Sequence, residues 1–289
     1  MTRDNFYNGI LDHLREYAKL RDIPVIVPTE EHDYSYIINT RGLNKSEKKE
    51  RICKYNILPN VQSCKEFQVL FSQEKISFQA YANHLNSSQI MCINFFIPML
   101  KWDELNKKFI PNSRLVQWMK EFIDPGFAIG KDSCCKLEFV QDSDKFPKEE
   151  NTNFDFYIKS NNKEYFFEIK YTENGFGTYD SKSQHNQDIR YNELYKRMIK
   201  ESVLDETELV SAISYKKYYQ LMRNIVRVTS QNTFSIFIFP KDNKRCNTML
   251  LDFKENYVKA LRDQIVCLHW EDVVDYKNQK DFVEKYLDI

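Results

Sequence analysis

Residues 153–171 read NFDFYIKSNNKEYFFEIKY, two aromatic runs (Asn153 to Ile158 and Tyr165 to Tyr171) joined by Lys159 to Glu164. Aromatic and β-branched runs of this length bounded by turn residues favour strands. Strand side chains alternate between faces, so Phe154, Phe156 and Ile158 share one face and Asp155 projects from the other. By the same rule Glu168 and Lys170 share a face, opposite Phe167, Ile169 and Tyr171. Ser160-Asn161-Asn162 in the connection is turn chemistry, which predicts a hairpin. Pairing of the two strands brings Asp155 beside Glu168 and Lys170.

Working outward, Cys135 to Val140 reads as a preceding strand, with Glu138 opposite Leu137 and Phe139. Beyond the hairpin, helical patterns cover Gln187 to Glu201 and Glu206 to Val228. Phe234 to Phe239 (FSIFIF) predicts a buried strand, Ile265 to His269 another, and the tail after Asp281 a helix. Towards the N-terminus, helices are expected over residues 4–20 with Asp4 as cap, over the charged segment Leu43 to Asn56, and over Asn60 to Ser72. Further helices are expected from Ser87 or Ser88 towards Pro98, and from Arg114 to Phe122. Hairpin strands followed by a helical crossover into further strands imply an α/β fold, a mixed central sheet with helices on both faces. Residues 1–75 read as a mainly helical extension packed on a core of residues 76–289.

Composition narrows the classes. Of 289 residues, 42% are apolar and 15% aromatic, which supports a sizeable core, and six glycines and eight prolines leave little room for long linkers. The 42 basic and 42 acidic residues cancel, which argues against a protein that coats nucleic acid nonspecifically. The seven cysteines contain no C-x-x-C and sit among apolar neighbours, the pattern of reduced, buried thiols in a cytoplasmic protein. Ligand spacing for zinc is absent from the sequence. The N-terminus carries no secretory signal pattern, and the apolar run Ile90 to Leu100 is too short to span a bilayer, so no membrane partner is expected.

The acid, acid-x-lysine trio carries the chemistry. Phosphodiester hydrolysis needs an activated water and neutralisation of charge on a crowded phosphorus, and one or two Mg²⁺ ions held by carboxylates supply much of that. Asp155 and Glu168 are assigned as metal ligands, with the backbone carbonyl of Ile169 as a further oxygen and Mn²⁺ as a substitute ion. Lys170 would orient or deprotonate the water, or stabilise transition-state charge. Glu138 and Glu173 are candidates for a second metal, Glu138 better placed because it lies on a strand. A bare acid-x-lysine is weak by itself: Glu47-Lys49, Asp180-Lys182, Asp242-Lys244, Asp252-Lys254 and Asp275-Lys277 also match. Glu168-Lys170 stands apart because it lies inside an aromatic strand with an acid-bearing strand just before it. The plainer reading is an amphipathic hairpin with a solvated polar face.

For the substrate, Lys182, Arg190 and Arg197 offer cations to DNA phosphates, diluted by Glu193 and Glu201. Gln220 and Arg223 lie one helical turn apart, placed to steady the lysine or a phosphate. The run Asn174-Gly-Phe-Gly-Thr178 is either a mobile loop over the site or a simple turn.

These residues resemble the PD-(D/E)XK, restriction-endonuclease-like nuclease superfamily: Asp155, Glu168 and Lys170 match its signature, and the helix, three-strand, helix, strand order matches its core. NHLNSSQIMCINFFIP (83–98), TNFDF (152–156) and FEIKYTENGFG (167–177) are similar to blocks of a little-characterised bacterial branch. The resemblance spans roughly residues 70 to 270. It implies that Gln89 and Asn94 point from the leading helix towards the active site, where other branches place a Glu. It also implies Mg²⁺-dependent DNA cleavage in restriction or other defence against foreign DNA, with defence-system partner proteins. A homodimer would suit cleavage of both strands. The alternatives are an exonuclease or RNA nuclease on the same core, and a catalytically silent binding module.

Overall fold

The computed structural model describes residues 3–72, 78–140, 153–178, 191–205, 207 and 214–288. Its fold is α/β, and the chain divides into two compact units, Met1–Pro125 with Trp270–Ile289, and Gly126–His269.

In the first unit, helices α1 (Arg3–Leu20), α2 (Lys45–Asn56), α3 (Pro59–Gln62), α4 (Lys65–Ser72) and α5 (Ser88–Phe96) precede a hairpin of β1 (Leu100–Asp103) and β2 (Lys108–Pro111), followed by α6 (Ser113–Phe122). Because α1 begins at Arg3, Asp4 lies in its first turn and not at the cap. α2 starts with a capping box: Glu47 N–H donates to the Asn44 side chain at 3.0 Å, and Asn44 N–H donates to the Glu47 carboxylate at 2.8 Å. The helix expected over Asn60 to Ser72 breaks at Ser63-Cys64. There the Ser63 hydroxyl and the Gln62 amide donate back to the carbonyls of Asn60 and Ile57, in competition with helix continuation. Ser87 caps α5, which is buried from Gln89 to Phe96.

The core of this unit is aromatic. The Phe95 ring meets Phe96, Trp118, Trp270 and Phe282 at centroid distances of 4.9, 5.7, 5.1 and 5.4 Å. The last two rings come from the C-terminal helices Trp270–Val273 and Lys280–Tyr286. A polar knot crosses the same core. Asn94 accepts from Leu58 N–H and donates to the Asn56 carbonyl and the Tyr286 hydroxyl, while the fully buried Lys285 ammonium donates to both oxygens of Asn56 at 2.6 Å. Burial pushes the Lys285 pKa well down.

The second unit is built on a mixed sheet of β3 (Cys134–Val140), β4 (Asn153–Ser160), β5 (Lys163–Ile169), β6 (Thr233–Phe239) and β7 (Ile265–His269). β3, β4 and β5 run antiparallel in succession; β6 and β7 add in parallel. The hairpin turn is Asn161-Asn162, both at positive φ (50° and 61°), the left-handed pair that a two-residue turn requires and asparagine tolerates. Both N–H groups are held by the Asp132 carboxylate.

On one face, Phe237 and Phe239 of β6 pack with Phe176 and with buried residues of α7 (Lys196–Glu201), α9 (Tyr219–Ile225) and α10 (Lys244–Tyr257). On the other, Tyr165 stacks on Phe234 and meets Phe127. The described part of the expected helix over Gln187 to Glu201 is a π-turn, Tyr191–Tyr195, running into α7. Between Glu206 and Val228 the described helices are α8 (Ser214–Lys217) and α9, separated at Tyr218, whose ψ of 29° leaves the helical region. α10 and the β1–β2 hairpin were not anticipated from the sequence.

Candidate active site

The β4–β5 ladder stops at Phe156↔Phe167. One residue further, the Asp155 side chain takes over from the backbone and accepts the Ile169 N–H at 2.6 Å. On its other side β4 pairs with β3 at Leu137↔Phe156 and Phe139↔Phe154, and the step between, Glu138 opposite Asp155, is unpaired, with Glu138 at φ +48°. The regular alternation lapses here. Phe154, expected on the face of Phe156 and Ile158, packs with Tyr157 and Phe166. The distortion of β4 thus sits at its acidic residue.

Glu168 is buried near the end of β5 and is held on every side. Its Oε1 meets the Lys170 ammonium at 2.7 Å and the Gln220 amide at 2.6 Å; its Oε2 accepts the Asn224 amide at 2.8 Å. Gln220 and Asn224 are four residues apart on α9, the spacing that puts two side chains on one helix face. Gln220 reaches further: its Oε1 accepts the Gly177 N–H at 2.7 Å, and its own N–H donates to the Gly177 carbonyl at 3.1 Å. The segment Asn174 to Thr178 is therefore a packed turn. Gly175 has φ +85°, and Phe176 is buried against Phe237 and Phe239. Glu173 caps this turn, accepting Tyr171 N–H through its carboxylate and Gly175 N–H and the Asn243 amide through its carbonyl.

Electrostatics follow from that crowding. Burial pushes the Asp155 pKa well above the usual carboxylate range, and the charges of Glu168 and Glu138 push it the same way, against weaker opposition from Lys170 and the Ile169 N–H. For Lys170, burial lowers the pKa, but Glu168, Glu173 and Asp155 outweigh it and the net shift is upward. Two carboxylates with a third nearby, opposed by one ammonium, form a site with excess negative charge.

Among the described residues no group of three or more His, Cys, Asp or Glu is gathered into a metal cage. A fully protein-made cage is not what Mg²⁺ needs: it commonly takes one or two carboxylates and keeps several waters. Asp155, whose protonation is favoured first by burial and then by its neighbours' charge, and Glu168 fit that demand, since a divalent cation relieves the repulsion between them.

The other sequence-selected residues stand as follows. Glu138 contributes its charge to Asp155 and takes a long 3.5 Å hydrogen bond from the Asn153 amide. Gln89, buried on α5 in the first unit, accepts the Gln79 N–H at 3.0 Å. Asn94 is consumed by the polar knot of that unit. Arg197 is exposed on α7 beside exposed Lys196 and Lys200. The Arg223 guanidinium lies 5.7 Å from the Tyr219 ring centroid, with its Nε buried and without a hydrogen-bond partner among the described residues. Lys182 and Arg190 lie outside the described residues. Asn224 escaped sequence reading, although its spacing from Gln220 offered the signal.

All seven cysteines are free thiols, and no helix among the described residues is long and apolar enough to cross a membrane. A model of the family described as "Restriction Endonuclease associating with ARP" matches residues 30–287. No curated protein and no solved structure matches significantly.

Proposed function

The chain belongs to the family of restriction endonucleases associating with ARP, and from that premise we propose that it is a metal-dependent nuclease hydrolysing DNA phosphodiester bonds, an endonuclease acting in defence against foreign DNA. The observation that carries this reading is the convergence of Asp155, Glu168 and Lys170 at the distorted edge of a hairpin, with α9 gripping Glu168 through Gln220 and Asn224.

Asp155 and Glu168 would hold Mg²⁺ or Mn²⁺, with the Ile169 carbonyl as a neighbouring oxygen and Glu138 as the reserve carboxylate. Once bound, the ion supplies the charge that acidifies a water and neutralises phosphate oxygens. The protein's own residues do the positioning. Lys170, paired with Glu168, is a hydrogen-bond donor, suited to orienting a water or to stabilising charge on a phosphate oxygen. Gln220 and Asn224 fix the rotamer of Glu168, and Gln220 ties that rotamer to the turn at Gly177. The exposed cations Lys196, Arg197 and Lys200 suit contact with DNA phosphates. By its family description, ARP is the partner to expect in the defence system.

The test is cleavage of supercoiled plasmid with Mg²⁺ or Mn²⁺ by wild type, Asp155→Ala and Lys170→Ala, with calorimetric titration of Mn²⁺ alongside. Nicking or linearisation by wild type alone, with Mn²⁺ binding lost in Asp155→Ala, is the expected result. Equal cleavage by all three, or divalent binding indifferent to Asp155, overturns the assignment.

A further inference from the structure

Within the first unit, a cleft of about 770 Å³ opens beside α2, in the size range of small-ligand sites. Three lysines line it, Lys45, Lys48 and Lys49, and Ile52 continues the same helix face one turn on. Their spacing, i, i+3, i+4 and i+7, puts these three lysines and Ile52 on the side of α2 that faces the cleft, while Arg51 and Lys54 point elsewhere, Arg51 donating to the Asn39 carbonyl. The acids of α2 are hydrogen-bonded: Glu47 caps the Asn44 N–H, and Glu50 takes the hydroxyl of Ser46, a lining residue, at 3.4 Å. Among the described residues no carboxylate lines the cleft. Lys45 and Lys48 make no ion pair among the described residues, and Lys49 lies over the Phe71 ring at 4.6 Å. The rest of the lining includes Phe78, Gln79 and Asn83, an aromatic ring beside two amides, of which Asn83 donates to the Ile38 carbonyl at 3.1 Å.

Cations for a phosphate, an aromatic wall for a base and amides for its polar edge are the requirements of a nucleotide unit. We infer that this cleft binds the backbone of the DNA strand on which the nuclease acts, a grip supplied by the N-terminal unit; the choice of DNA as occupant rests on the nuclease reading above.

The test is anisotropy of a labelled mixed-sequence duplex and its single strand with the full chain in EDTA, which separates binding from cleavage. The variant is Lys45→Gln/Lys48→Gln/Lys49→Gln, whose side chains are at the surface. Its affinity should fall about tenfold or more at ~0.1 M salt, and its salt slope should shrink by about one for each phosphate no longer neutralised. The triple Lys→Arg variant should bind like wild type, as should the control Lys101→Gln/Lys120→Gln, which removes exposed lysines elsewhere in the unit. Wild-type affinity and slope in the triple Gln variant overturn the inference; so does a wild type that binds no DNA, or one that binds mononucleotide in the cleft and not DNA. The two readings fail separately. Cleavage that persists alongside unaltered binding in the triple Gln variant removes the cleft and leaves the nuclease. Lysine-dependent binding with no cleavage under Mg²⁺ or Mn²⁺ removes the nuclease and leaves the cleft.

Discussion

Glu168 has three donors on two oxygens, and the least conspicuous of them, Asn224, is the most informative residue of the site. It is almost fully buried, donates one amide hydrogen to Glu168 at 2.8 Å, and keeps its own Oδ1 without a partner among the described residues. A buried acceptor left unpaired costs roughly 1–3 kcal/mol, so Asn224 is held for the carboxylate it orients. On the proposed role of Glu168 as a metal ligand, Asn224→Ala should lower kcat for plasmid cleavage by about 10- to 100-fold, the usual loss when a group supporting such a ligand is removed. KM for DNA and the thermal midpoint should change little, and Asn224→Gln should not rescue, because the longer arm misplaces the donor. A loss confined to stability would make Asn224 merely structural. At this scale the sequence was readable where a charge interrupts an aromatic run: Asp155, Glu168 and Lys170 each announce themselves by that break. Asn224 is fainter: its spacing of four from Gln220 is in the sequence, but that spacing points to Glu168 only once the neighbouring strand is in place. Asn94 illustrates the converse. Resemblance aimed it at the active site, while its hydrogen bonds run to Asn56, Leu58 and Tyr286.

Among the elements, strands and turns were the legible part. β7 begins and ends where the pattern of Ile265 to His269 puts it, and β6 adds only Thr233 to FSIFIF. A short apolar run rich in β-branched and aromatic residues, bounded by turn residues, reads as a buried strand. Helices were harder wherever tertiary contacts override periodicity: α3 and α4 are parted by local side-chain bonds, and α10, with its Lys-Arg start and mixed face, was missed altogether. The turn after β5 belongs to this scale as well. Gly175 sits at φ +85°, a conformation strained for any other residue, and a Cβ there would lie 2.6 Å from the Met249 sulfur, so that side chain would have to shift. Gly175→Ala should destabilise the chain by about 1–2 kcal/mol. It should also reduce cleavage, because the turn that anchors Gln220 must shift. Urea unfolding followed in parallel with plasmid nicking checks both, and an unchanged midpoint would show that the turn relaxes freely.

For the molecule as a whole, the first unit is discontinuous in sequence: Met1–Pro125 is completed by Trp270–Ile289. The returning segment brings Trp270 and Phe282 to the Phe95 cluster, Lys285 to Asn56, Tyr286 to Asn94, and Glu284 to Arg21 at 2.6 Å. Deleting residues 270–289 should therefore unfold the first unit, since burying even one such aromatic ring is worth about 1.5–3 kcal/mol. Hydrogen exchange should show α5 and α6 losing protection while β5 and β6 retain theirs. Equal protection throughout would mean that the returning helices add nothing to that core. Sequence composition, uniform along the chain, gave no hint of this arrangement, because the packing that defines it joins the two ends of the chain across the whole of the second unit.

The same interleaving sets an order of events during synthesis. Strands β3 to β7, with Asp155 and Glu168 among them, are translated before Trp270, so the sequence of that sheet is complete first. The lysine cleft of α2 belongs to a unit that must wait for the final helices to close its core. A nascent chain would thus have the sheet of Asp155 and Glu168 fully synthesised while the unit that carries the lysine cleft still lacks Trp270 and Phe282 for its core.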